Sequence, residues 1–235
     1  GPCRHPPPSE LREQDAMFTC CQAEDAGGED KFDLGSTSEG AVLIASVEAA
    51  KEPPPKEFVV QVQKDTSDTP IGCNLDISDG VTLRVCGLRP GFNPVANHND
   101  SEAAGNGRNI RVGDFVVRVN NVAGNALNIG EEIRKGKALE MTIRRPATFT
   151  CNLNKLGGSL GLDLNYAVKG TSLVVDKISA QGAAEAWNRV NPDQMIQKCD
   201  HIVSVNGREG TSVELLEVLG QVQDAIVVFC RPSSA

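Results

Sequence analysis

Two glycine-centred loops carry the residue pattern in this sequence that is best suited to chemistry. They are Ile71-Gly72-Cys73 and Leu160-Gly161-Leu162, and each is followed by a segment of alternating polarity. Three successive backbone amides on a tight glycine turn can hold an anion. A helix after such a loop would indicate a nucleotide phosphate site, but the alternation predicts a strand in both places. An ordinary glycine turn between two strands is the alternative interpretation.

A strand that begins at an anion-binding loop can accept a peptide along its edge. The peptide would add as an extra antiparallel strand, with its terminal carboxylate on the loop amides and its last side chain in an apolar pocket. We expect Leu75 and Ile77 to wall the first pocket and Leu164 to wall the second, each facing a later helix.

Enzymatic interpretations have little support. The histidines are His5, His98 and His201, and no known nucleophile motif surrounds any serine. Cys199 and His201 could share one side of a strand, but a surface histidine is the simpler prediction for His201. Cys73, within the first loop, is either a reactive thiolate favoured by the amides or a buried structural cysteine, and we favour the latter.

Cofactor and metal sites are not predicted either. The eight cysteines form no C-x-x-C pair, and Cys199 beside His201 is a single weak metal-ligand pair. The glycines around residue 106 lack the third glycine and the preceding strand of a dinucleotide loop, so residues 93–109 are predicted to form a long, flexible polar insert.

The acidic charge is concentrated at the start of the 235-residue chain. Residues 1–50 hold three basic and ten acidic residues, whereas the remainder holds 20 basic and 21 acidic residues. Nucleic acid and anionic lipid are therefore not expected partners, because neither would be attracted to such a surface. No apolar run approaches the roughly 20 residues that a membrane span requires.

Residues 1–56 are predicted to be a disordered, proline-rich acidic tail, because they cannot bury enough apolar surface to offset their ordering entropy. An apolar island at 41–45 could dock on the rest of the chain. If Met17 is the true start, Cys20 and Cys21 become a near-terminal pair open to S-palmitoylation and a weak membrane tether. We expect a cytoplasmic protein, membrane-peripheral if that tether is used.

From residue 57 onward the pattern indicates short strands, and the order of the elements is repeated after about 90 residues. Arg111–Asn121 and Lys198–Gly207 match almost position for position. The expected strands cover 58–63, 71–77, 81–88, 110–121, 139–143, 148–153, 160–166, 172–178, 198–207 and 225–230. The expected helices cover 125–134, 183–189 and a segment capped by Thr211 that runs to about residue 222.

The two copies resemble PDZ domains. The similar segments are the two glycine loops, the pair of aspartate-bearing strands that includes Asp114 and Asp200, and the late helix with its closing strand. The resemblance implies a mainly β (α+β) fold with two consecutive small domains, 57–146 and 147–232, and a short tail at 233–235. Each domain would be a partly open β-barrel or sandwich of five or six strands with two short helices. Cys199 and Asn121 depart from the family pattern, since each replaces a glycine.

In PDZ domains the start of the late helix often sets ligand preference. The resemblance places Ala126 and Gly130 in the first groove and Ser212 or Val213, with Leu216, in the second. Neither helix begins with the histidine of the subtype that accepts a Ser or Thr hydroxyl. An apolar ligand residue at that position is therefore expected, and Gly130 would leave the first groove shallow.

The sequence thus predicts a non-catalytic adaptor or scaffold that binds protein C-terminal or internal peptide segments, with the second repeat as principal reader. A structural subunit with closed grooves is the main alternative. The short linker at 144–147 supports this alternative, because it favours a fixed orientation of the two repeats. A regulatory fragment of a PDZ-bearing protease would require a catalytic domain, and the 235 residues carry no signature of one.

Overall fold

The structure is a computed structural model that describes residues 55–102 and 106–234. The predictions for the tail therefore lie outside the described residues. These are the island at 41–45, the start at Met17, and the thiol pair Cys20 and Cys21.

Each half of the chain forms strands and helices in the same order. The first half contains β1 (Glu57–Gln63), β2 (Cys73–Asp76), β3 (Leu83–Leu88), α1 (Pro94–Ser101), β4 (Phe115–Val119), β5 (Val122–Ala123), α2 (Ala126–Lys135) and β6 (Ala138–Arg144). The second contains β7 (Pro146–Asn154), β8 (Leu162–Asn165), β9 (Leu173–Ile178), α3 (Ala183–Val190), a 3₁₀ turn (Pro192–Gln194), β10 (His201–Val205), α4 (Ser212–Gln221) and β11 (Asp224–Pro232).

The strands form two antiparallel sheets with the same internal order. The first runs β1-β6-β4-β3-β2, with β5 paired to β4, and the second runs β7-β11-β10-β9-β8. The mainly β fold class, with five or six strands and two helices per half, is confirmed. The limits 57–146 and 147–232 stay a prediction, and Pro146 is already the first residue of β7. The strands that follow the two glycine loops, β2 and β8, both lie at the end of their sheet.

Alternating side chains build a separate apolar core in each repeat. In β1, Phe58, Val60 and Val62 are buried and the residues between them are exposed. The corresponding strand β7 buries Cys151 and Leu153 against the second core. Burial of one such aliphatic or aromatic side chain contributes about 1.5–3 kcal/mol, so these residues supply the main driving force for folding each repeat.

The aspartates of the repeated strand motif make matching contacts in both repeats. Asp114 accepts hydrogen bonds from the Arg111 amide (2.7 Å) and Arg145 Nη1 (2.5 Å), and the Arg145 guanidinium lies 4.6 Å from the Phe58 ring centroid. Burial raises the pKa of the Asp114 carboxyl, and the hydrogen bond from Arg145 partly offsets that effect.

In the second repeat, Asp200 accepts hydrogen bonds from the Gln197 amide (2.7 Å) and Arg231 Nη2 (2.7 Å). Arg231 lies 4.6 Å from the Phe149 ring centroid. Burial likewise raises the pKa of the Asp200 carboxyl. The two repeats therefore share the same aspartate–arginine–phenylalanine contacts as well as the same sequence motif.

The prediction of a flexible insert at 93–109 is wrong for its first half, which forms α1. The side chain of Asn93 accepts a hydrogen bond from the Ala96 amide (2.9 Å) and caps the helix. Asn99 bonds both the carbonyl (2.9 Å) and the amide (2.8 Å) of Ile110, which fixes the returning chain. The asparagines that gave this segment its loop-like composition are thus caps and cross-links.

The two repeats contact one another through a largely polar seam with a buried centre. Asp79, in the turn after β2, lies with a carboxylate oxygen 3.5 Å from His201 Nε2, and its carbonyl accepts a hydrogen bond from the Cys199 thiol (3.5 Å). Arg84 Nη1 donates to the Thr171 hydroxyl (3.1 Å). Asn165 donates to the carbonyl of Ser78 (3.0 Å).

His201 occupies the centre of this seam and is fully buried, so the prediction of a surface histidine is wrong. Its ring packs edge-on against Phe115, with 5.3 Å between ring centroids. Strand alternation correctly separates His201 from Asp200, but the face on which His201 lies is covered by the first repeat. A single repeat would leave this side chain in contact with solvent.

Candidate functional site

The loop at the head of β8 is held by a close crossing of two backbones. Gly161 is buried with φ +70°, a conformation that side chains disfavour. A Cβ added to Gly161 would lie 2.7 Å from Cα of Gly182, the residue that precedes α3. Glycine is therefore needed at this crossing for both its conformation and its size.

The carbonyls of this loop point into the protein. Those of Ser159, Leu160 and Gly161 accept hydrogen bonds from the amides of Ala183 (3.2 Å), Ala184 (2.9 Å) and Ser179 (2.8 Å), respectively. Within the part of the chain that the structure describes, the amides of Leu160 and Gly161 donate no hydrogen bond. This arrangement leaves backbone donors free next to an edge strand.

An open groove of about 530 Å³ lies between β8 and α4. Its apolar lining includes Leu162 and Leu164 from β8 and Leu216 and Leu219 from α4. The two leucines of β8 are half-buried and pack on the second core, while Leu216 stays 36% exposed. The groove thus combines an unpaired strand edge, loop amides and an apolar wall.

The groove also contains a cation that the sequence analysis missed. Lys155, at the end of β7, lines the groove near the loop, and its Nζ donates to the carbonyl of Leu219 (2.7 Å). An ammonium group beside free amides strengthens an anion site, because both act on the same charge. A lysine six residues before the loop glycine was the available signal.

The start of α4 is turned away from the groove. Thr211 caps the helix, as predicted, with Glu214 completing a capping box. Ser212 is fully buried, and its hydroxyl donates to the carbonyl of Ser172 (2.7 Å). Of the two residues placed here by the resemblance, Val213 is the exposed one.

The first loop has the same connections. The carbonyls of Ile71 and Gly72 accept hydrogen bonds from the amides of Val95 (2.9 Å) and Arg89 (2.8 Å). Gly72 has φ +99°, and the side chain of Asn93 occupies the space where its Cβ would lie. Glycine is again required, here by a capping side chain instead of a second glycine.

The first groove differs from the second in its cation. Lys64, which corresponds to Lys155, is buried and donates to the carbonyl of Ser67 in the loop after β1. It also donates to the carbonyls of Ile133 (2.9 Å) and Arg134 (3.1 Å) near the end of α2. Its ammonium group is thus fully engaged with protein carbonyls. A ligand carboxylate would have to compete with these three acceptors.

The walls of the first groove are uneven. Leu75 is half-buried against the core, whereas Ile77 is largely exposed. Ala126 is fully buried at the start of α2, and a Cβ on Gly130 would meet no atom within 4 Å. The space beside Gly130 is consistent with the expected shallow wall.

The thiol of Cys73 is not activated by the first loop. Burial raises its pKa to about 12, the nearby Cys86 thiol adds to this rise, and Arg89 opposes it only in part. The raised pKa argues against the thiolate alternative and favours a structural role for this half-buried cysteine. The five cysteines in the described residues, Cys73 among them, are free thiols.

Ser172, His201 and Asp79 lie in a row, which resembles a catalytic arrangement. The Ser172 hydroxyl lies 3.1 Å from His201 Nδ1, and Asp79 approaches the opposite ring nitrogen. Ser172 and His201 are fully buried, so no substrate can reach them. The described residues hold no cluster that could bind a metal ion, and none of their helices is long and apolar enough to cross a membrane.

Comparison with known proteins gave matches only to solved structures; no family model and no curated protein matched. Two of the structures are INAD PDZ45 in complex with NG2 peptide, and INAD PDZ45 with NORPA CC-PBM. Both are 17% identical to this chain over 79% of its length, and they are covered to 94% and 96%. The TM-score is 0.34 in each case, too low to support any inference about this chain.

Proposed function

We propose that this chain is a non-catalytic peptide-binding adaptor whose main ligand site is the groove between β8 and α4. The ligand would be an extended protein segment with a free C-terminus, added antiparallel to β8. Its carboxylate would lie at the amides of Leu160, Gly161 and Leu162, close to Lys155. Its last side chain, of apolar type, would contact Leu164 and Leu216.

The observation that carries this proposal is the position of β8. It is the edge strand of its sheet, it begins at a loop with free amides, and an open groove runs beside it. A peptide strand at an edge supplies the missing main-chain hydrogen bonds, and the neighbouring pocket supplies sequence preference.

The second groove is favoured over the first by the state of the two lysines. Lys155 makes one hydrogen bond to a carbonyl, whereas Lys64 makes three and is buried. The structural-subunit alternative requires closed grooves, and the open groove beside β8 argues against it for the second repeat. A weaker site in the first repeat, at Leu75 and Ile77, remains part of the proposal.

The ligand residue two positions before the terminus is expected to be apolar. The Ser212 side chain is fully buried, with its hydroxyl donated to the carbonyl of Ser172, so a ligand hydroxyl in the groove would not reach it. Val213 and Leu216 are exposed apolar residues on this stretch of α4, and Leu216 lines the groove, whereas the exposed Glu214 between them is held in the capping box with Thr211.

The proposal is tested by screening the whole chain against a library of free C-terminal peptides and measuring the best binders by calorimetry. We expect micromolar dissociation constants. The variant Leu216→Glu should weaken binding at least about tenfold, because it places a carboxylate in the pocket next to the ligand's own.

The matched control is Val190→Glu, which changes an exposed apolar residue of a different helix, α3, outside the groove lining. It should bind like the original chain. Absence of peptide binding by the folded chain, or equal weakening by both variants, would refute the assignment of the ligand to this groove.

A further inference from the structure

One buried serine joins the seam between the repeats to the helical wall of the second groove. Ser172 has no exposed surface, and its hydroxyl lies 3.3 Å from a carboxylate oxygen of Asp76 and 3.1 Å from His201 Nδ1. Its carbonyl accepts the hydroxyl of Ser212 at 2.7 Å. Ser172 therefore contacts three elements: β2, β10 and α4.

The two ends of this path belong to different repeats. Asp76 is the last residue of β2, the edge strand of the first sheet. Ser212 is the first residue of α4, which carries Leu216 and Leu219 on the wall of the second groove. A displacement of the first repeat would thus change the partners of the residue that holds the start of α4.

The corresponding helix of the first repeat lacks this link. It begins with Ala126, which has no hydroxyl, and only the Ala126 amide is bonded, to the carbonyl of Gly80 (3.0 Å). The amide of Ser212 makes the equivalent bond to Gly170 (2.9 Å), so the Ser212 hydroxyl is an addition specific to the second repeat. Support through this path runs from the first repeat to the second groove only.

We propose that the first repeat positions the wall of the second groove, with Asp76, Ser172 and Ser212 as positioning residues. This inference rests on the proposed function of that groove. Its consequence is that the groove has full affinity only in the docked pair, so the second repeat alone would be a weaker reader than the whole chain.

The experiment compares the whole chain with its variants Ser172→Ala and Ser212→Ala by hydrogen exchange of the α4 amides and by binding of the best free-acid peptide from the screen. Loss of one buried hydrogen bond corresponds to about a tenfold change in an equilibrium. We expect exchange in the first turn of α4 to accelerate about tenfold and the dissociation constant to rise about three- to tenfold. In Ser172→Thr the α4 exchange rate and the dissociation constant should stay close to those of the original chain, because threonine keeps the hydroxyl. Thr82 occupies the corresponding position in the first repeat.

The control is Lys198→Ala, which removes an exposed ion pair with Asp176 on the second repeat and should change neither readout. Ser212→Ala, which alanine at the start of α2 shows to be compatible with the fold, tests the last link of the path. If Ser172→Ala does not fold, Asp76→Asn decides the question, because it changes the end of the path that lies in the first repeat. Unchanged α4 exchange in a folded variant, or faster exchange with unchanged affinity, would overturn the inference. If the original chain binds no peptide, the proposed function fails, while the exchange data still decide whether these residues position α4.

Discussion

Phe115 and His201 occupy equivalent places in the two repeats, each directly after the aspartate of the repeated strand motif, and their rings pack against each other. The centroids are 5.3 Å apart with an interplanar angle of 67°, and both side chains are fully buried. Their cross-strand neighbours, Arg84 and Val174, are also equivalent positions. Contact between equivalent positions is what a pseudo-two-fold arrangement produces. One repeat contributes an apolar ring to it and the other a polar ring.

Loss of the His201 ring should uncouple the repeats. The variant His201→Ala leaves the buried Asp79 carboxylate without its ring partner and opens a cavity beside Phe115, so we expect a loss of about 3 kcal/mol. Urea unfolding checks this with two probes: fluorescence of Trp187, which lies in the second repeat, and far-UV circular dichroism. The probes should coincide in the original chain and separate in the variant.

The exposed pair of Arg189 with Glu185 provides the control, because Arg189→Ala should leave the two unfolding curves coincident. Coincident curves in His201→Ala, with an unchanged midpoint, would contradict a stabilising role for the seam.

The backbone crossing at Gly161 should be intolerant of any side chain. The variant Gly161→Ala combines a positive φ with a 2.7 Å approach to Cα of Gly182, so a loss of about 3 kcal/mol or more is expected. Gly157→Ala has a similar φ, +78°, and no atom within 4 Å, so it should lose only about 1–2 kcal/mol. Thermal unfolding of both variants checks the difference. Equal losses in the two variants would mean that the crossing can open to admit a side chain. If Gly161→Ala is destabilised as expected, a binding defect of this variant cannot be assigned to the carboxylate site alone.

Cys199 holds a backbone conformation that suits glycine. Its φ is +69°, and the equivalent residue of the first repeat, Gly113, has φ +96°. Cys199→Gly should therefore stabilise the chain by about 0.5–1 kcal/mol, after subtraction of the chain-entropy cost of glycine. The reciprocal variant Gly113→Ala should destabilise by about 1–2 kcal/mol. Chemical denaturation of both variants measures whether each change in unfolding free energy has the expected sign. Destabilisation by Cys199→Gly would show that the thiol contact with Asp79 outweighs the backbone strain.

Gly130 should be replaceable to advantage. It lies inside α2, and a Cβ there meets nothing within 4 Å, so Gly130→Ala should stabilise by about 1 kcal/mol through helix propensity. Gly136, at the end of the same helix, gives the contrast, because its Cβ would lie 2.5 Å from Leu139 Cδ2. Gly136→Ala should be destabilising. Melting temperatures measured side by side test the pair, and the same sign for both would contradict this account of α2.

The seam should weaken in acid through Asp79. Burial raises the pKa of this carboxyl, but the adjacent His201 ring and hydrogen bonds from Thr82 and Val81 outweigh burial and leave the pKa below its usual value. A carboxyl with a lowered folded-state pKa stabilises the fold above its unfolded value, about 3.9, and that stability is lost as pH falls through the folded value. The stability advantage of the original chain over Asp79→Asn should therefore be constant near neutral pH and shrink below about pH 4.

Asp114 and Asp200 have raised pKa values, so their contributions to stability change with pH in the opposite direction to that of Asp79. Both carboxyls are present in the original chain and in Asp79→Asn, so the difference in unfolding free energy between these two chains isolates the effect of Asp79. An advantage that grows on acidification would contradict the lowered pKa of Asp79.

Local periodicity was sufficient to predict most of the fold. The alternation of Phe58, Val60 and Val62 located β1, and Thr211 located the start of α4. The first helix was missed because its residues, rich in asparagine, have low helix propensity. The cap from Asn93 to the Ala96 amide and the bond from Asn99 to the Ile110 carbonyl stabilise it, and a search for apolar periodicity does not detect such polar contacts.

The candidate site was only partly predictable, for a different reason. The glycine loops were visible because a tight turn with positive φ favours glycine. The burial of His201 and Ser212 depends on contacts between segments far apart in the chain, which no local pattern contains. Lys155 and Lys64 both donate to the equivalent helix carbonyl, that of Leu219 or Ile133. The sequence could not show that Lys64 alone makes two further hydrogen bonds, to the carbonyls of Ser67 and Arg134.

Calorimetric titration of the whole chain with one library-selected peptide, prepared both as free acid and as amide, tests the central claim most directly. The account predicts micromolar binding of the acid and at least about tenfold weaker binding of the amide, because a charged carboxylate on amide and ammonium donors gains about 1.5–3 kcal/mol. The variant Lys155→Met should reduce the difference in affinity between the free acid and the amide. Equal affinities for acid and amide would contradict a carboxylate site at the loop before β8.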